Sequence, residues 1–526
     1  MVEDKNWENK KNIKKSPLSS SDKISASAWV TLAILGSTLL ITMYGETMLL
    51  PAIPDIIKEF KISYNTASWI LTAYLIAGSV MTPISGKLSD IYGRKKLVII
   101  IMIVYIVGIC LGGLSNNITF LIITRIIQGV GVSMFPIAFG IIRDQFPSEK
   151  LAIGVGIFSS MFAAGSVIGL AAGGSIIQNL GWRITFFTII PFAIVLWFVI
   201  KRFIYDIQYP MQFSQKGSDS DIQDHSVNVA NISKSSVIDI KGAISLAVTI
   251  TSFLLVLSYL EPSNNNNTSS IQIITFLIVG VCSLVFFVII EKRAKSPLID
   301  FKLISNKIIL SANILLLISF LTMFTVYQTI PVLVRSPQPV GLGGDAITTA
   351  NIQLPFMIVF LLFAPSSGFI ISRLGNIKPT GVGSIIAAVG FFSIFIFHFT
   401  FFSLAISLAI IATGLSLTQV GGFNILLEST PRQFSGVSLG MTVLLNLIGG
   451  AVGPTVAGIY MQTNQIFVKG ADGYFPSPYS YDLIFLTAAL LSLVTIALVI
   501  IIKKRMSLNS EVITKRRIHT SGGDNR

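Results

Sequence analysis

Residues 86 to 96 read Gly86-Lys87-Leu88-Ser89-Asp90-Ile91-Tyr92-Gly93-Arg94-Lys95-Lys96, a short polar segment between apolar runs near 66 to 86 and 97 to 114. Each run approaches the roughly 20 residues a helix needs to cross a bilayer. The glycines permit a tight reversal, and the lysines and Arg94 mark the segment as cytoplasmic, because cations in short loops are retained on that side. Asp90 can face both Arg94 and the positive end of the helix that follows. A cationic hairpin joining two spans is the unit from which the rest of the chain is read.

Similar runs recur upstream and downstream, near 28 to 50, 119 to 141, 152 to 176 and 184 to 202, which completes six. The stretch from Asp206 to Asp239, rich in Ser, Asp, Gln and Asn, reads as a solvated linker. Eight further runs follow, near 240 to 260, 271 to 290, 308 to 333, 350 to 372, 378 to 398, 401 to 426, 435 to 462 and 482 to 503. Composition agrees: 52% of the 526 residues are hydrophobic and 12% charged, against about 25% charged in soluble chains. The expected fold is an all-α polytopic membrane protein of fourteen spans, with little chain left for a soluble domain. Its expected divisions are a cytoplasmic tail (1–27), a six-helix bundle (28–202), a cytoplasmic linker (203–239), two extra helices (240–290), a loop (291–307), a second six-helix bundle (308–503) and a basic tail (504–526).

The net charge of +14 invites a nucleic-acid reading, but topology accounts for it. With the N-terminus inside, five cations, Lys58, Lys61, Arg183, Arg335 and Lys469, fall in outer loops and Arg125 lies within a span. All the others fall on the cytoplasmic side, so no nucleic-acid partner is needed and both termini are expected in the cytoplasm. The first apolar run has no small-residue cleavage pattern and reads as an uncleaved span. Cys110 and Cys282 lie in apolar runs, where a thiol acts as a small hydrophobe. His225, His398 and His519 lack ligand spacing, so neither metal nor cofactor is expected. No phosphate loop, Ser/His/Asp set or H-E-x-x-H sequence suggests an enzyme.

An internal repeat relates the halves. Gly156, Gly165 and Gly169 are spaced nine and four apart, and Gly440, Gly449 and Gly453 repeat that spacing 284 residues later. Small residues four apart let helix backbones approach closely in lipid, so a duplicated bundle explains both sets better than coincidence.

Glu46 is the carboxylate placed deep within a span, and an intramembrane charge is a functional candidate by default. Counting from Asp55 puts it about 13 Å in, and counting from Asn117 puts Arg125 about 12 Å in, at 1.5 Å per residue. The two can therefore meet, either as a proton-coupling pair or as a structural ion pair locking two spans. Burial favours the neutral carboxyl and a guanidinium the ionised form, and these opposing effects suit a proton carrier. Gln128, Tyr327, Gln328, Gln419, Asn424 and Asn446 are candidate polar contacts to a substrate, or hydrogen-bonding glue between helices.

The 86–96 segment resembles the loop signature of the major facilitator superfamily, G-x-L-x-D-x-x-G-R-[RK]-[RK], with Gly86, Asp90, Gly93 and Arg94 at its fixed positions. Arg125-Ile126-Ile127-Gln128-Gly129-Val130-Gly131 resembles that family's fourth-span motif, and the run from Gly156 to Gly173 its fifth-span antiporter motif. Gly181-Trp182-Arg183 with Phe186 and Pro191 adds another match. Glu291-Lys292-Arg293 and Pro297-Leu298-Ile299-Asp300 resemble its fourteen-span drug:proton antiporter branch. Two positions depart from the pattern. Leu170 stands where Pro usually follows the third glycine, although Pro454 follows Gly453, and Glu46 is displaced by one position from the usual Asp.

The resemblance implies two six-helix bundles rocking around a central site, with the extra helices inserted between them. It implies a monomeric, multi-pass transporter of the cell membrane whose partners are the lipid bilayer, protons and a small-molecule substrate. The expected activity is proton-coupled export of amphipathic or hydrophobic compounds. The competing expectations are a facilitator or symporter for a polar nutrient and a transport-dead sensor.

Overall fold

Inside a bilayer every backbone polar group must find its partner within the protein, and for one apolar segment the α-helix does this unaided. The computed structural model describes residues 24–146, 151–204, 240–259, 266–294, 297, 303, 305–430, 435–469, 471 and 473–521. Its first half comprises α1 (Ala26–Thr47), α2 (Ile53–Phe60), α3 (Tyr64–Tyr92), α4 (Arg94–Gly113), α5 (Ile118–Gly129), α6 (Met134–Gln145), α7 (Leu151–Leu180) and α8 (Trp182–Phe203). Then come α9 (Ile240–Tyr259) and α10 (Asn266–Arg293). The second half comprises α11 (Lys307–Arg335), α12 (Ala346–Leu374), α13 (Ile377–Ile396), α14 (Phe401–Ser429), α15 (Ser435–Thr463) and α16 (Pro478–Ser521). Thirteen helical stretches among the described residues are long and apolar enough to cross a membrane, and a fourteenth apolar stretch, Lys241–Leu257, is shorter. The protein is a polytopic all-α membrane protein.

Local sequence sets the helix boundaries. Ser25, Ser63, Asn117, Asn306, Asp345 and Thr400 each cap a helix by accepting a backbone N–H in its first turn. Pro51 and Pro54 break the first span into α1, a 3₁₀ turn at Leu50–Ala52 and α2. Gly93, at φ 92°, makes the joint between α3 and α4.

The structure adds three features to the expected plan. The fourth apolar run is interrupted by a 3₁₀ segment, Val130–Ser133, so α5 and α6 are separate helices. The last helix continues to Ser521, well past the apolar stretch. A short antiparallel hairpin, Gln465–Val468 with Gly473–Pro476, joins α15 to α16, with Gln465 opposite Pro476. Residues 1–23 of the expected N-terminal tail and 205–239 of the expected linker lie outside the described residues, as do 295, 296, 298–302 and 304 of the expected 291–307 loop.

The repeat becomes visible in the packing. Gly165 and Gly169 on α7 face Leu40 and Tyr44 on α1 and Gly173 faces Met48 just past its end, where a methyl group at Gly173 would lie 2.6 Å from the Met48 carbonyl oxygen. Gly449 and Gly453 on α15 face Leu317 and Leu321 on α11, where a methyl at Gly453 would lie 2.6 Å from the Leu321 carbonyl. The same glycine spacing thus seats the fifth helix of each half on its first. Gly156 lies on α7 and Gly440 on α15, where a methyl at Gly440 would meet nothing within 4 Å, and Pro454 lies within α15.

The two halves meet chiefly where α3 packs on α15 and α7 on α12. The α9–α10 pair packs together, and α9 also touches α3 and α15. It lies beside their seam. α10 leaves Ile271, Ile274, Ile278, Val285 and Phe286 exposed, as a lipid-facing helix does.

Candidate functional site

The 3₁₀ turn at Leu50–Ala52 ends the first span, and Glu46 sits just before it on α1, 5% exposed. From α5 comes Arg125, 1% exposed. Arg125 Nε donates to the Ile70 carbonyl at 3.0 Å, and Nη1 donates to the Gly45 carbonyl and to Gln128 Oε1, each at 2.9 Å. Nη2 donates to the Glu46 backbone carbonyl at 3.5 Å, and the guanidinium lies 4.5 Å from the centre of the Tyr74 ring. Four of its five N–H groups are thereby bonded to neutral acceptors. Among the described residues, no hydrogen bond or ion pair joins the Glu46 carboxylate to this guanidinium. Arg125 is close enough for its charge to act on Glu46, yet the carboxylate is not locked in a closed pair.

The surrounding residues hold this arrangement rigid. Gln128 spends both ends of its amide, accepting from Arg125 and donating from Nε2 to the Gly108 carbonyl at 2.9 Å. Tyr105 donates to the Ile41 carbonyl at 3.0 Å, and Tyr74 to the Thr42 carbonyl at 3.3 Å. Thr47 Oγ1 donates to the Ser166 carbonyl on α7 at 3.3 Å. α1 is therefore tied by polar bonds to α3, α4, α5 and α7, all near Glu46. Gln128, a candidate for substrate contact or for glue between helices, here bonds Arg125 and ties α5 to α4.

In the second half, Tyr327 on α11 lies within electrostatic reach of Glu46. The Tyr327 hydroxyl, Gln328 Oε1 and Asn446 Oδ1 are buried without a hydrogen-bond partner. Gln419 points its Nε2 toward Met323 Sδ at 3.9 Å, and Asn424 is half-buried nearer the Ser429 end of α14. Sequence reasoning missed Gln353 on α12, which donates from Nε2 to the Tyr327 carbonyl at 2.9 Å while its Oε1 stays buried and unpartnered. It also missed the aromatic run along α11 and α12. Phe320 stacks on Phe324 at 6.2 Å, Phe324 meets Tyr327 edge-on at 6.3 Å, and Tyr327 meets Phe356 at 6.1 Å. The available signal was an amide, Gln353, within an apolar run, with aromatic residues three or four positions apart on each helix.

Far from Glu46 along α3, Gly86 lies in the helix and a methyl there would meet nothing within 4 Å. Asp90 belongs to the same helix, and its side chain lies outside the described residues. Arg94 packs over Gly140 on α6. A groove of about 290 Å³ between α9 and α10, lined by Lys241, Ile244, Ser245, Val248, Ser283 and Phe286, contains none of the buried polar groups near Glu46. Among the described residues no cluster of His, Cys, Asp and Glu could hold a metal.

Comparison with known proteins adds the family context. The family model described as Major Facilitator Superfamily matches residues 35–454. The multidrug transporter protein MdtP of Bacillus subtilis is 28% identical over 445 residues, covering 83% of this chain and 76% of its own. The tetracenomycin C resistance and export protein of Streptomyces glaucescens is 25% identical over 439 residues, covering 82% of this chain and 76% of its own. The partially occluded inward-open structure of the xylose transporter XylE from E. coli aligns with a TM-score of 0.56 at 11% identity, covering 89% of this chain and 97% of that one.

Proposed function

Because the chain belongs to the major facilitator superfamily, we propose that it exports amphipathic or hydrophobic small molecules by alternating access, driven by inward proton flow. The observation that carries this reading is the state of Glu46, buried and under the influence of Arg125 without being closed into a pair with it. A carboxylate held this way gains or loses a proton without breaking a salt bridge. Arg125 is fixed by backbone carbonyls and Gln128, so its field on Glu46 depends on how α1 and α5 stand to each other. In the proposed cycle Glu46 loads a proton while the site faces outward. Facing inward, it releases that proton to the cytoplasm as substrate enters.

Support for export comes from relatives whose names describe multidrug transport and resistance. The orientation proposed is both termini in the cytoplasm of the cell membrane, which thiols introduced at 210 to 230 would report by labelling from that side alone. The transport reading is tested in proteoliposomes with an imposed pH gradient and a panel of lipophilic dyes. Accumulation that follows the gradient supports proton coupling. Flux indifferent to it would mean a facilitator, and absence of flux across the panel a protein that does not transport.

A further inference from the structure

Buried amides and hydroxyls in folded proteins are almost always hydrogen-bonded, and each one left without a partner costs free energy. Here four unpartnered oxygens, on Tyr327, Gln328, Gln353 and Asn446, belong to three helices of one half. The bond from Gln353 Nε2 to the Tyr327 carbonyl identifies the free end of that amide as its oxygen, an acceptor. Tyr327 Oη can accept as well as donate. Glu46, whose charge reaches Tyr327 across the seam, is also an acceptor once ionised. The three amide oxygens lack donors, and the phenol can take one. Alongside lie flat apolar surfaces, the rings of Phe324 and Phe356 at 6.3 and 6.1 Å from that of Tyr327, with Phe324 reaching Gly450 at the seam with α3.

We propose that the oxygens of Tyr327, Gln328 and Gln353, with the rings of Phe324 and Phe356, form a subsite selecting aromatic ligands that carry N–H or O–H donors. The inference rests on the transport reading for its cycle, since ligand reaches these atoms only when the halves part. It names which feature of a ligand is recognised. Such a ligand supplies the donors that the closed protein lacks, whereas a donor-free ring of equal size and charge leaves the same oxygens buried and unpaired. A site built to hydrogen-bond discriminates against an analogue that cannot.

Equilibrium dialysis of the purified protein, without any gradient, against ethidium and tetraphenylphosphonium tests this. Both are aromatic monocations, but ethidium carries two amino groups and tetraphenylphosphonium has no N–H or O–H. Tyr327→Phe and Gln328→Met should each weaken ethidium binding about fivefold, from the usual worth of one hydrogen bond, and leave tetraphenylphosphonium within twofold. Ligand-free, both variants should melt no lower than wild type, because each removes an unpartnered group. Equal loss for the two cations, a lowered melting temperature, or no binding of ethidium by wild type would overturn the subsite. Donor-selective binding with no gradient-driven transport would instead leave the subsite standing and remove the transport reading.

Discussion

Asp55 and Arg335 form a two-pronged ion pair that joins the two halves of the molecule, from α2 to the end of α11. Arg335 also donates to the Pro51 carbonyl at 3.0 Å, within the turn that follows Glu46. Other bonds span the halves near this end, among them Tyr64 N–H to Gln462 Oε1 at 3.1 Å, Ala346 N–H to Gln178 Oε1 at 3.2 Å, and Thr72 Oγ1 to the Ala451 carbonyl at 3.1 Å. α2 is meanwhile anchored to its own half, where Glu59 pairs with Arg183 at 2.7 Å and accepts from Trp182 Nε1 at 2.8 Å. The structure is closed at the end expected to face outward, and Asp55 is the charged part of that closure.

Opening this end must break the Asp55–Arg335 pair. Partly exposed ion pairs are worth up to about 1 kcal/mol, so Asp55→Asn should shift the balance toward the outward-open form by roughly fivefold at most. Double electron–electron resonance between spin labels at the outer ends of α3 and α15 would read the shift. Asp55→Arg combined with Arg335→Asp should recover much of the closed population. An unchanged distance distribution in Asp55→Asn would assign the closure to the backbone bonds.

The glycine contacts predict a graded response. A methyl group at Gly169 would strike Thr47 Oγ1 and Tyr44 of α1, whereas at Gly440 it would meet nothing. Gly169→Ala should therefore cost about 1–3 kcal/mol through overpacking. Gly440→Ala should be neutral or stabilising by up to about 1 kcal/mol, from helix propensity. Melting curves of the purified variants check both, and similar losses at the two sites would contradict the packing described.

Asp345 caps α12 by accepting the Thr348 N–H at 2.7 Å, next to the Ala346 contact between the halves. Its hydrogen bonds to Thr348 hold the carboxyl below its ordinary value. A depressed carboxyl stabilises the fold above its unfolded value and loses that contribution as pH falls through the folded one. Asp345→Ala should thus cost about 1 kcal/mol at neutral pH. The gap in melting temperature from wild type should close below about pH 4. A gap that persists in acid would mean the carboxylate is not what stabilises this end.

Much of this was legible in the sequence, for identifiable reasons. The spans announce themselves because a bilayer demands continuous apolar runs, and the two glycine sets because close helix contact in lipid tolerates few other residues. Glu46 and Arg125 could be matched because depth follows from residue count. That Arg125 would bond carbonyls of Ile70, Gly45 and Glu46 was not legible, since every residue offers a carbonyl and sequence does not mark which one faces a cation. Gln353 was hidden because its meaning depends on Tyr327 of the neighbouring helix. The extension of α16 to Ser521 escaped because apolar periodicity stops where the helix leaves the membrane.

The hairpin at 86–96 is proposed to govern the conformational cycle rather than ligand choice. Gly93 turns the chain at a positive φ and Arg94 packs over Gly140 on α6, so the loop is held by its own half and lies far along α3 from Glu46. Asp90→Asn should slow turnover at least tenfold, equivalent to about 1.4 kcal/mol on the barrier, while ethidium affinity by dialysis stays within twofold. A parallel loss of affinity would make the loop part of the binding site or of folding.

Glu46 and Arg125 should separate cleanly under mutation, because one is free of partners that the other holds in number. Glu46→Gln keeps the size of the side chain, removes the exchangeable proton and breaks no ion pair with Arg125. Its cost in stability should be under about 1 kcal/mol, because the carboxylate loses no hydrogen bond or ion pair and a neutral amide is cheaper to bury than a charge. Arg125→Ala takes the donor from Gln128 Oε1 and a second donor from the Ile70 and Gly45 carbonyls, of which Ile70 keeps its bond within α3. One unpaired buried amide oxygen costs about 1–3 kcal/mol, and the space left by a fully buried guanidinium adds to the loss. In proteoliposomes Glu46→Gln should abolish accumulation driven by a pH gradient yet still exchange labelled for unlabelled substrate, since exchange needs alternating access but no net proton transfer. If the Glu46→Gln protein accumulates substrate at the wild-type rate, the coupling proton travels by another group. Loss of exchange together with accumulation would mean that the carboxylate shapes the site instead of carrying the proton.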